Sequence, residues 1–92
     1  MVHDLKCWTG PYLDVRAGRK PFEIRRFDRP FAVGDYLKLN EWHPGSKTFT
    51  GCSQLVEVTY LVKGGEWGLP LDLCVMGVRL VCGPAEPGKG TG

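Results

Sequence analysis

The stretch GRKPFEIRR, Gly18 to Arg26, carries four cations in nine residues and sets one glutamate, Glu23, between Phe22 and Ile24. Its alternation has the period of a β-strand: Phe22, Ile24 and Arg26 point one way, and Glu23, Arg25 and Phe27 the other. Glu23 and Arg25 therefore share a face two residues apart. A solubilising surface would scatter its charges; this one gathers them. From Arg16 to Arg29 there are six cations (Arg16, Arg19, Lys20, Arg25, Arg26, Arg29) against Glu23 and Asp28, on a 92-residue chain whose net charge is only +2. A local basic stretch on a near-neutral protein points to a polyanion.

Reading outward, TGPYLDVRAG precedes this strand. Pro11 suits the first helical position with Thr9 or Gly10 as cap, and Gly18 suits a left-handed residue after the last turn. The helix has about two turns and needs a partner to hold it. Its Tyr12, Val15 and the stem of Arg16 share a face. Before it, HDLKCW reads as a short strand with Leu5 and Cys7 on one side and Lys6 and Trp8 on the other.

After the basic stretch, DRPFAVGD reads as a loop. YLKLNEW is a strand with Leu37, Leu39 and Glu41 on one face and Tyr36, Lys38, Asn40 and Trp42 on the other. HPGSKTFTG reads as a loop. SQLVEVTYLV is the clearest strand, with Val56, Val58, Tyr60 and Val62 expected on one face. KGGEWGLP is a glycine-rich connection, and LDLCVMGVRLV is apolar on both sides and expected at the centre of the sheet. The expected fold is α+β and mainly β: a small, partly open barrel of about five strands with one or two short helices, which removes exposed edges. Residues 1–82 form the domain, and the Gly/Pro-rich residues 83–92 are expected to be a disordered tail.

A chain of this length supports one small core. No apolar run approaches the roughly 18 residues of a membrane span, and MVHDLKCW lacks the apolar core of a secretory signal. A cytoplasmic location without membrane contact is expected. Cysteines at 7, 52, 74 and 82 show no C-x-x-C pair, and the histidines are His3 and His43. No metal or cofactor is expected, and Cys7, Cys74 and Cys82, in apolar strand-like surroundings, read as reduced, buried hydrophobes. Cys52 with His43 is the one pairing that offers a nucleophile and a base.

Taken together, LKCW, AGRKPFEIRR, VGDYLKLNEW, VEVTYLVKGG and VMGVRL resemble the ASCH domain of the PUA-like superfamily. The likeness is greatest to small uncharacterised ASCH-like proteins of bacteria and their phages, and it runs from residue 3 to about 81. The signature G-x-K-x-x-E-x-R is met by Gly18, Lys20, Glu23 and Arg25, and Val33 to Asp35 and the pair Glu41–Trp42 also match. The resemblance implies a PUA-like barrel with a helix over one mouth and the signature residues lining a cleft between them. It implies binding of nucleic acid, RNA foremost, or of a nucleotide or nucleoside. The binding set is then Lys6, Lys20, Glu23, Arg25 and Trp42, with Arg19 and Arg26 as rim cations. Trp67, in a glycine-rich loop that could flank the cleft, is an equal candidate for base stacking on position, and Trp8 a weaker one.

The resemblance also carries an enzymatic alternative, since some members hydrolyse RNA or remove an acyl group from a modified nucleoside. Lys20 and Glu23 would then be catalytic, with Glu23 as base and Lys20 as acid or electrostatic stabiliser. The acyl-removing members use a lysine, a threonine three residues on, and a downstream glutamate. Here the threonine position holds Glu23, and Glu66 and Asp72 are the only acidic residues between the two long strands.

Overall fold

The computed structural model describes residues 1–85. Its longest strands, β4 (Thr48–Lys63) and β5 (Leu73–Ala85), form an antiparallel hairpin at the middle of one five-stranded sheet. Strand β3 (Tyr36–His43) lies antiparallel to β4, and β1 (Val2–Trp8) runs parallel to β3. Strand β2 (Phe22–Arg26) lies antiparallel to β5, so the order is β1-β3-β4-β5-β2. The two edge strands of this list nevertheless meet: the Arg25 guanidinium on β2 donates to the Lys6 carbonyl on β1 at 2.9 Å. The sheet is therefore curled into a partly open barrel, mainly β, with one α-helix and one 3-10 turn. No helix among the described residues is long and apolar enough to cross a membrane.

Alternation places the core. Leu5 and Cys7 from β1, Leu37 and Leu39 from β3, Val56 and Val58 from β4, and Cys74, Met76 and Val78 from β5 are buried inside the curl. Each fully buried aliphatic side chain contributes about 1.5–3 kcal/mol. Helix α1 (Thr9–Arg16) covers one end with Tyr12 and Val15. Arg16 is exposed, so its stem does not extend that face.

Pro11 sits in the first helical turn, where the backbone N–H groups have no helical acceptor and its missing hydrogen costs nothing. The cap is neither Thr9 nor Gly10 but Trp8, extended and without a side-chain bond to the helix. Gly18 takes the left-handed conformation expected of it, at φ 80°. That turn lets the N–H groups of both Arg19 and Lys20 reach the Asp14 carbonyl, at 2.9 and 3.1 Å.

Two boundaries and the phase of one strand differ from the sequence reading. The turn after β3 is confined to residues 44–47, with Lys47 at φ 57°, and Thr48 to Gly51 belong to β4. Opposite Glu41 the β4 strand bulges, because Asn40 pairs with Ser53 and Trp42 with Phe49, and Gly51 supplies the positive φ of 89°. A further irregularity, after two in the Ser53–Val56 stretch, lies between Val58 and Tyr60. It reverses the phase of the strand, so Leu61 packs on the core and Tyr60, expected beside Val58, is 67% exposed. At the far end β5 keeps pairing through Ala85, opposite Ser53, which carries the sheet past the expected limit at residue 82. Residues 86–92 of the expected tail, and the Cys82 side chain, lie outside what is described.

Asp35 knots the starts of β1 and β3 together. Its carboxylate accepts from His3 Nε2 at 2.8 Å and from the Ala32 N–H at 3.1 Å, and the Met1 amine lies 3.4 Å away. His3 is itself buried, edge-on to Phe31. The bond from His3 leads in holding the Asp35 carboxyl below its ordinary 3.8, with the Ala32 N–H and the amine assisting against partial desolvation. A carboxyl depressed on folding stabilises fully above its ordinary value and loses that contribution as pH falls through the lowered one. The urea midpoint should therefore fall as pH drops below the ordinary carboxyl value of 3.8, and Asp35→Asn should be less stable near neutrality with a shallower acid decline. Parallel profiles for the two proteins would rule this out.

Candidate functional site

A curled sheet that does not close leaves a seam between its outer strands, here β1 and β2. The outward carbonyls of β1 would meet only water there, and two arginines take them. Arg25 Nη1 donates to the Lys6 carbonyl at 2.9 Å, and Arg29 Nη1 to the Asp4 carbonyl at 3.3 Å. The spacing of two residues is that of carbonyls on one edge of a strand. Side chains thus stand where a closing strand would have paired.

Strand β2 is inverted with respect to the usual pattern. Phe22 and Ile24 face outward and are exposed, whereas Glu23 faces the interior and is 2% exposed. A buried carboxylate is costly unless its charge is met. Lys20 Nζ donates to one Glu23 oxygen at 2.8 Å, and Arg25 Nε to the other at 2.9 Å. Charge-assisted bonds of this kind are short and roughly twice as strong as neutral ones. The two cations keep 22% of their side-chain surface exposed, so they stand between the carboxylate and water. Gly18 and the helix-terminal bond to Asp14 bring Lys20 into place, and Val78 N–H to the Pro21 carbonyl at 3.0 Å fixes the entry to β2.

Above this cluster lies a cleft of about 370 Å³, lined chiefly by Lys6, Cys7, Trp8, Lys20, Glu23 and Arg25, with Pro11 and Ile24 at its sides. A second hollow of about 270 Å³ lies along the same seam, sharing Lys6 and Arg25 and adding Arg26 and Arg29 with Asp4 and Asp28.

Four of the five binding residues read from the sequence, Lys6, Lys20, Glu23 and Arg25, therefore come together. Trp42 does not line the cleft; it lies on the outer face of β3 with Lys6 Nζ 4.1 Å from its ring centre. Arg19 pairs with Asp14 in the open, and Arg26 pairs with Asp72 at 2.8 Å and borders the second hollow. Trp8, rated below Trp42 from the sequence, is the tryptophan in the cleft. Its signal was its alternation with Lys6. Trp67 is 94% exposed on the 3-10 turn Glu66–Gly68 and is not among the cleft residues.

Both Glu23 oxygens are engaged and shielded, which fits a group that positions cations better than one that meets substrate. Glu66 accepts the Lys63 N–H and Asp72 pairs with Arg26, so neither downstream acid stands in the cleft. His43 Nδ1 accepts the Ser46 N–H within its own turn, while Cys52 lines a separate hollow. Among the described residues no group of His, Cys, Asp and Glu is arranged to hold a metal ion.

A family model described as a domain of unknown function (DUF3850) matches residues 2–78. The chain belongs to the DUF3850 family. The matched span of this DUF3850 domain contains the whole cleft and both arginines of the seam. A search of curated proteins found no match.

Cys7 lines the cleft from a buried position, where its thiol is held protonated. Burial, and next the charge of Glu23, push its thiol up to about 11, although Arg25 and Lys20 pull the other way. Burial also raises Cys74. In the native DUF3850 domain, iodoacetamide at about pH 8 should modify the partly exposed Cys52 and leave Cys7 and Cys74 intact until urea is added. Peptide mass spectrometry reads the order, and early alkylation of Cys7 would contradict the packing described.

Proposed function

We propose that the seam cleft binds a phosphate of a nucleic acid, RNA in the first instance, or of a nucleotide. The observation that carries this reading is the Lys20–Glu23–Arg25 cluster. Glu23 offsets one charge, and Lys6, Lys20 and Arg25 leave the cleft with an excess of positive charge. Lys20 and Arg25 spend part of their donor sets on Glu23 and the Lys6 carbonyl and keep further N–H groups, and Glu23 is the one acid among the residues lining the cleft. Arginine adds a planar donor fork suited to phosphate, and lysine a point charge.

The resemblance to the ASCH domain supports the same reading, since the residues of its signature are those that meet here. It extends the proposal to a PUA-like ancestry for the barrel and to a role as a binding module in the cytoplasm, where the free thiols Cys7, Cys52 and Cys74 are at home. The hydrolase alternative has weaker support, because a catalytic base needs an oxygen within reach of substrate and Glu23 offers none.

Fluorescence anisotropy with a labelled single-stranded RNA tests the proposal. Affinity should fall as salt rises, with a log–log slope of about −0.7 per phosphate contact. Lys20→Ala should weaken binding about five- to tenfold and flatten that slope by about one contact, and it should lower the melting temperature because Glu23 is left with one cation. Arg25→Lys should retain the salt dependence and lose affinity, since a lysine cannot serve Glu23, the Lys6 carbonyl and a phosphate together. Parent-like binding by Lys20→Ala would remove the cleft from consideration. RNA cleaved by the parent and spared by Glu23→Gln would instead favour the hydrolase.

A further inference from the structure

Trp8, Trp42 and Phe49 stand in one row across three strands. Trp8 is opposite Trp42 in the β1–β3 ladder, and Trp42 is opposite Phe49 in the β3–β4 ladder. Residues so paired project to the same side of a sheet. That side is the outer one, because the preceding pair, Cys7 and Glu41, is buried within the curl. Trp8 is 57% and Phe49 55% exposed, so neither contributes much to the core. Phe49 meets Trp42 edge to face with ring centres 5.0 Å apart.

One side chain joins this row to the cleft. Lys6 Nζ lies 4.1 Å from the Trp42 ring centre, and Lys6 lines the cleft beside Trp8. Trp8 itself belongs to both. At the other end Phe49 borders a shallow hollow with Lys38 and Asn40. Asp4, opposite Lys38 in the β1–β3 ladder, accepts from the Asn40 amide, and Glu57 further along the same side is paired with Arg79. The outer face thus presents flat, exposed rings flanked by lysines and continuous with an anion site.

We propose that the row Trp8–Trp42–Phe49 is a stacking surface for the bases of a single-stranded nucleic acid whose phosphate lies in the cleft. This rests on the cleft reading given above. Apolar exposure alone would suit any greasy partner; the lysines at both ends and the continuity with the cleft select a polyanion with flat apolar rings. The strand must be single, because a duplex keeps its base faces stacked on one another. Stacking on aromatic side chains is indifferent to base identity, so little sequence preference is expected.

The test uses the full chain carrying Trp67→Phe, which removes the exposed tryptophan remote from the cleft and leaves Trp8 and Trp42 as reporters. Short oligouridylate and oligothymidylate, a duplex of similar length and ribose 5-phosphate are titrated against it. Quenching by both oligonucleotides, with the duplex at least about tenfold weaker, is expected; a tighter oligouridylate would name RNA as the source. Phe49→Ala should weaken the oligonucleotides about tenfold and leave ribose 5-phosphate unchanged, and Phe49→Tyr should restore binding. Trp8→Ala, read by anisotropy, should act in the same direction. Oligonucleotide binding that Lys20→Ala abolishes but Phe49→Ala and Trp8→Ala do not touch would overturn the stacking surface and leave the cleft standing. Absence of binding to every probe would overturn both.

Discussion

A carboxylate inside a small β-barrel has to be answered by charge, and the answer given to Glu23 organises the rest of the site. Its oxygens take Lys20 from the helix-terminal turn and Arg25 from its own strand, so two elements are pinned to one buried group. The cost of removing Glu23 from water is offset only while both cations remain. They in turn are held with donors to spare, beside a strand that turns Glu23 and Arg25 inward and its apolar residues outward. Local pattern and global fold disagree at β2, where Phe22 and Ile24 are exposed and Glu23 is not. Conflicts of that kind concentrate at functional sites.

The same arginine closes the barrel. Strands β1 and β2 are the ends of the ladder order, and they are joined across the seam by Arg25 and Arg29 acting on backbone carbonyls. A seam braced by side chains stays open enough to leave two hollows, which a full ladder of backbone bonds would fill. The proposed binding and the architecture thus share residues. Lys6 has a similar double part, with its carbonyl in the seam and its ammonium above Trp42. Anything that draws Arg25 toward an anion acts on the contact that holds β1 to β2.

Much of this was legible in the sequence because a period of two is hard to disguise. The faces of β1, β2 and β3 follow directly from alternation, including the inward Glu41. The cleft residues were legible through the spacing of Gly18, Lys20, Glu23 and Arg25, which the turn and the strand convert into proximity. What was hidden has physical causes. A bulge costs one residue of phase, so the second half of β4 turned the opposite way from the pattern, leaving Tyr60 outside and Leu61 inside. Polar, glycine-containing TFTG resembles a loop, yet pairs with β3 because Lys47 adopts a tight left-handed turn and Gly51 a bulge. The curl of the sheet set Trp42 outside the cleft and Trp8 within it, and no one-dimensional pattern encodes curl.

The most direct test is a chemical-shift titration of the nitrogen-15-labelled protein with a short oligouridylate, following backbone amides and the Arg25 Nε–H together. The largest shifts should fall on Lys6, Trp8, Lys20, Ile24 and Arg25, with the Arg25 signal moving in step. Shifts gathered on the face around Tyr60 and Val62, or an Arg25 Nε–H that stays in place while other residues respond, would contradict the proposed cleft.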